Sequence, residues 1–196
     1  MKTLSIGIFC LSVASLTAFG DELDRGVDLY NKNHFSDAVP VLRKVVEEDE
    51  GNARANRYLG LALVEQGKTS EGEPFLTKAN ELDPGGESKS AMARLYVELK
   101  DYDKAEATLA DAEGDAVAYV RGLLNLGRKQ YDAAARDLES FSQSHPDHAY
   151  AHYYAGMAYN GMRRPDKMLT HFELFLKMKP DAPEARKVQS VLRSVR

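Results

Sequence analysis

Cysteine is almost missing from this chain. Cys10 is the only one, and it lies inside an N-terminal apolar run. If that run is removed on export, the mature chain has no disulfide, no thiol chemistry and no thiolate metal site. Phe9 precedes Cys10 and the apolar run continues beyond it, so the position does not suit lipidation. Tryptophan is absent altogether. So are a glycine-rich phosphate loop, a Gly-x-Ser-x-Gly elbow and a His-Glu-x-x-His pair. No two groups are spaced for acid–base work, so the sequence offers no catalytic residue and calls for no cofactor. Strong basic runs are lacking too. With a formal net charge of −4, the chain is a poor nucleic-acid binder.

What the chain does have is a repeat. Small residues recur at Gly26, Gly60, Ala93, Gly122 and Gly156, and a second set follows in phase at Ala38, Gly72, Ala105, Ala134 and Met168. Two registers that shift together mean one unit copied five times. The second copy is the clearest. Leu59, Gly60 and Leu63 make one stripe at helical spacing, and Glu65-Gln66-Gly67-Lys68 breaks it. Gly72, Leu76 and Ala79 make another stripe, which Asp83-Pro84-Gly85-Gly86 ends. Each unit therefore reads as two short antiparallel helices. One such hairpin cannot bury its own apolar face and must stack on its neighbours. Glycine costs about 1 kcal/mol in a helix interior, so helical glycines at one phase point to close packing within a hairpin, with a small residue on the first helix facing a small residue on the second.

These residues resemble the tetratricopeptide repeat (TPR) family. Leu59-Gly60, Gly72, Leu76, Ala79 and Pro84 fit its pattern in the second unit. Gly122, Ala134, Leu138, Phe141 and Pro146 fit in the fourth, and Gly156, Tyr159, Phe172, Phe175 and Pro180 in the fifth. Phe35-Ser36-Asp37-Ala38, Tyr102-Asp103-Lys104-Ala105 and Tyr131-Asp132-Ala133-Ala134 repeat the family's start of the second helix. The resemblance implies an all-α fold: a right-handed superhelical solenoid of about five helix-turn-helix units spanning residues 21–182. The third unit is short by about five residues, so Ala110–Asp115 is expected to turn early and alter the local curvature. Residues 183–196, with Val188, Val191, Leu192 and Val195 at helical steps, are expected to form a C-terminal capping helix.

Residues 1–20 read as a signal peptide. Lys2 precedes a mainly apolar run from Leu4 to Phe19, and Ala18-Phe19-Gly20 puts small residues where a signal peptidase reads. The expectation is an exported bacterial protein of the periplasm, touching a membrane only if the signal stays uncleaved.

The family's inner helices line a concave groove. Carrying that register over places Arg54, Arg57 and Leu61 on it from the second unit and Arg94 from the third. Tyr119 and Leu123 follow from the fourth, and Tyr150, Tyr153 and Met157 from the fifth. Arginine can hold carboxylates by paired hydrogen bonds, and tyrosine offers apolar area with a polar tip. The family's clamp for a C-terminal carboxylate is not reproduced, because Leu23 and Val27 occupy the first repeat's positions. His145, His148 and His152 are spaced like metal ligands, but Pro146 interrupts them and favours packing or solvated roles. Asp111, Glu113 and Asp115 lack a calcium-loop pattern and read as a capped turn. The expected function is an envelope scaffold that binds a protein or peptide segment. Head-to-tail self-association is the alternative.

Overall fold

The computed structural model describes residues 13–195, with side chains from Gly20 onward. Residues 1–12 of the expected signal peptide, Cys10 among them, lie outside the described residues. Residues 13–20 belong to the first helix. The described residues form eleven helices and no strand. They pair in order as hairpins: α1 (Val13–Asn31) with α2 (Phe35–Glu48), α3 (Ala53–Glu65) with α4 (Thr69–Leu82), α5 (Gly86–Glu98) with α6 (Tyr102–Leu109). Then come α7 (Asp115–Gly127) with α8 (Tyr131–Ser144) and α9 (Ala149–Gly161) with α10 (Pro165–Met178), followed by α11 (Ala185–Val195). No described helix is long and apolar enough to cross a membrane.

The described residues divide into two compact units, one ending at Leu82 and the other beginning at Asp83. In the first, Leu23, Val27, Leu42, Val45, Leu59 and Leu63 form the core of two hairpins. In the second, Ala93, Ala105, Leu109, Val117 and Leu124 pack α5 and α6 against α7, while Leu138, Tyr159, Phe172, Phe175, Val188 and Leu192 join the last two hairpins and α11. Within each unit the first helices of successive hairpins touch: α1 with α3, α5 with α7, α7 with α9. Where the second helices meet, they do so only through side chains: the backbones of α2 and α4, of α6 and α8, and of α8 and α10 come no closer than 8 Å between Cα atoms. Each array therefore curves with its first helices on the inside.

The helical glycines are packing devices, but their partner differs in part from the expected one. A Cβ on Gly26, Gly60, Gly122 or Gly156 would come within 2.7 Å of the side chain of Leu42, Leu76, Leu138 or Phe172 respectively. The contact is thus with the bulky residue sixteen positions on. The expected small-on-small approach is seen in the second hairpin, where a Cβ on Gly72 would lie 2.7 Å from the Gly60 carbonyl oxygen.

All five hairpin turns share one geometry. Asn33, Gly67, Lys100, Lys129 and Arg163 have φ between 58° and 75°. In each turn the next residue's N–H donates back to the carbonyl five residues earlier, as from His34 to Leu29 (2.9 Å) and from Gln130 to Asn125 (2.8 Å). This is the Schellman closure of a helix C-terminus. The missing length of the third repeat falls on its second helix. α6 has 8 residues, where α2, α4, α8 and α10 have 14 each. Chain from the end of α6 returns against α5: a Cβ on Gly86 would meet the Glu113 carbonyl oxygen at 1.9 Å.

Candidate functional site

The inward-facing helices carry the candidate residues, and the structure sorts them by burial. In the first unit, Arg54 is exposed on α3 and donates to Asp24 of α1 at 2.9 Å. Arg57 is buried, its guanidinium 5.6 Å from the Tyr58 ring centre. Leu61 is half-buried on the same helix. In the second unit, Arg94 is largely buried and paired with Glu98 one turn along α5. Arg54 and Arg94 thus already have carboxylates of this chain.

The aromatic residues come together in the second unit. Tyr119 on α7 packs against Phe141 (5.0 Å between ring centres), His148 (4.9 Å) and Tyr154 (6.3 Å). Tyr150 lies beside Tyr153, Tyr154 and Phe175. Tyr119, Tyr150 and Met157 are half-buried around the core. Tyr153 and Leu123 are not so placed: they are 8% and 4% exposed and pack inward, Tyr153 on Phe172 and Phe175. Burial holds the Tyr153 hydroxyl above its ordinary pKa. The Tyr150 hydroxyl donates to Glu184 at 3.1 Å, just before α11, so Tyr150 presents a ring rather than a free hydroxyl. Tyr154 joins Tyr119, Tyr150 and Tyr153 into one cluster. The sequence signal for it was its four-residue step from Tyr150.

Behind this face lies a polar network that links α8, α9 and α10. His152 Nδ1 and His171 Nδ1 are 3.1 Å apart, and His152 Nε2 is 3.2 Å from the Pro146 carbonyl oxygen. A carbonyl only accepts, so in the contact with Pro146 the donor is His152 Nε2. Lys167 Nζ donates to Glu139 (2.9 Å) and to the Tyr159 hydroxyl (3.0 Å). His171 Nε2 faces the same Glu139 carboxylate at 3.7 Å. Burial, and then the neighbouring His152, hold His171 below its ordinary pKa. Burial opposes ionisation of Glu139, but the hydrogen bonds from Tyr159 and Lys167 outweigh it and keep the carboxyl below its usual value. The Lys167 ammonium is raised by its bonds to Tyr159 and Glu139.

The three histidines read from the sequence have separate tasks. His145 stacks on Phe141 at 4.3 Å. His148 caps α9, its Nδ1 accepting from the Ala151 N–H. His152 is buried in the network above. Among the described residues no three His, Cys, Asp or Glu side chains converge as a metal site.

Two family models described as tetratricopeptide repeat match the chain, one over residues 23–87 and 119–183, the other over 63–124. Among curated proteins, the peroxisomal targeting signal 1 receptor of Dictyostelium discoideum is 36% identical over 63 residues, which is 32% of this chain and 10% of the receptor. The chain spans about a tenth of that relative. Among solved structures, YrrB, described as a TPR protein with an unusual peptide-binding site, aligns with a TM-score of 0.51 at 19% identity, covering 86% of this chain and 90% of YrrB. The Pseudomonas aeruginosa pilF product aligns with a TM-score of 0.63 at 17% identity, covering 91% and 84%.

Proposed function

The chain belongs to the tetratricopeptide repeat family, and on that premise we propose that the inner helix face of its second unit holds a segment of another protein. Proteins of this family serve as protein-interaction scaffolds and are generally non-catalytic. The observation that carries the reading is the set Tyr119, Tyr150 and Met157: large, partly exposed side chains on inward-facing helices. Aromatic rings held in place by neighbours bind with little loss of side-chain freedom, and they recur in binding hot spots. Tyr153 and Leu123 form the floor beneath them rather than the contact surface. A targeting-signal receptor among the sequence relatives and a peptide-binding protein among those of like fold support the same assignment.

Binding is tested by Tyr119→Ala and Met157→Ala with a partner trapped by cross-linking. Each variant should weaken the complex by about tenfold, the scale of a hot-spot side chain, with helicity unchanged. Full affinity in both variants would refute the assignment. If the trapped protein is a second copy of this chain, the face serves self-assembly instead.

We further propose that the protein is exported to the bacterial periplasm, on the strength of residues 1–20. Protein recovered from cells should begin at Asp21. A first residue of Met1 would contradict export by a cleaved signal.

A further inference from the structure

Many cations of this chain have a carboxylate close by. Lys32 pairs with Asp28, Lys89 with Asp111, Lys167 with Glu139, and Arg128 with both Asp103 and Glu106. Of the cations without such a pair, Lys129 and Arg163 sit in the turns of the last two hairpins and Arg136 on α8. Among the described residues, Lys129, Arg136 and Arg163 have no carboxylate within 4.0 Å, and Arg136 feels Asp137 only at longer range. Two of them sit where they cost stability: Lys129 at φ 61° and Arg163 at φ 58°, in the turn position that the second repeat gives to Gly67. An L-residue in that conformation is strained, because its Cβ crowds the following carbonyl oxygen.

A cavity of about 590 Å³ opens between these turns. Lys129, Arg136 and Arg164 line it, Asp132 is the one acid in its wall, and Tyr131 and Met162 add apolar surface. Arg164 is exposed and lies 3.6 Å from Asp166. The wall is fitted, since a Cβ on Gly161 would come within 2.6 Å of the Tyr131 ring.

We propose that this cavity is a second docking site, which takes an acidic segment of a partner polypeptide. A Glu or Asp carboxylate enters against Lys129 and Arg136 while its stem lies on Tyr131 and Met162. The guanidinium of Arg136 suits a carboxylate, which it can hold by two parallel bonds. The same surroundings disfavour a flat anionic membrane. Asp132 lies in the wall and Asp166 beside Arg164, on a chain of net charge −4. An extended anionic surface meets both, whereas one inserted side chain meets the cations first, within a screening length of about 8 Å. The site lies at the turn edge and does not depend on the inner face.

The test is fluorescence anisotropy of labelled hexaglutamate titrated with the full chain. Arg136→Glu should weaken binding about tenfold or more. Lys129→Gly should weaken it several-fold while raising the thermal midpoint, which separates lost contact from lost fold. Lys44→Glu, on an exposed position of α2, and Met157→Ala, on the inner face, should leave it unchanged. Unaltered binding in Arg136→Glu would overturn the proposal. So would equal weakening by Lys44→Glu, or binding to phosphatidylglycerol vesicles without binding to hexaglutamate.

Discussion

At the scale of single residues, this protein depends on side chains that are absent and on side chains kept neutral. Gly156 is an example of the first. Adding one methyl group there drives a carbon to 2.5 Å from Phe172, a core ring that cannot retreat. Gly156→Ala should therefore cost about 1–3 kcal/mol, the range for overpacking, read from urea denaturation. His148 and His171 are examples of the second. Burial holds both below the ordinary value of 6.5. The unfolded chain takes up these protons first, so the stability they contribute is complete above about pH 6.5 and is lost as pH falls through their folded-state values. His148→Asn keeps a capping acceptor but removes the titration. It should shrink the loss of stability between about pH 7.5 and about pH 5. The helical glycines were legible in the sequence because they keep repeat phase. The role of His152 was not, because its partner His171 comes from the next helix. Nor was the burial of Tyr153 legible: on a helix inside a curved array, the packing stripe and the contact stripe adjoin.

At the scale of elements, the hairpin is the unit, and its turn is its least relaxed part. Asn33, Lys100, Lys129 and Arg163 all adopt the left-handed conformation that Gly67 adopts freely. Lys100→Gly should stabilise the protein by about 1 kcal/mol, seen as a rise of about 2–4 °C in thermal midpoint. The turn lies clear of the cavity at the last two hairpins, so hexaglutamate binding should not change. The short α6 is the other weak element. With 8 residues it offers few internal hydrogen bonds and fewer buried side chains than α8 or α10. Its amides should exchange with solvent faster than those of α8 or α10. Element positions were readable from apolar spacing and from breaks such as Glu65-Gln66-Gly67-Lys68, which falls between α3 and α4. The shared turn geometry was not, because only one of the five positions shows a glycine.

At the scale of the whole molecule, two hairpins form one compact unit and three hairpins with α11 form the other. The candidate residues divide between them: Arg54, Arg57 and Leu61 in the first, the tyrosine cluster in the second. The sequence register gave the inner helices correctly, since α1 meets α3 and α5, α7 and α9 meet in turn. It gave less about which inner side chains stay open, because that depends on neighbours from other hairpins and from the segment before α11. The reading of the protein as a scaffold rests on Tyr119, Tyr150 and Met157 meeting a partner. A photo-cross-linking residue placed at Met157 in living cells, with Lys44 as the control position, examines this directly. One discrete adduct at Met157 and none at Lys44 is expected, with the trapped segment, made as a peptide, binding the purified chain and losing about tenfold affinity to Tyr119→Ala. No adduct at Met157, or the same adducts from Lys44, would contradict the claim that this face receives a partner.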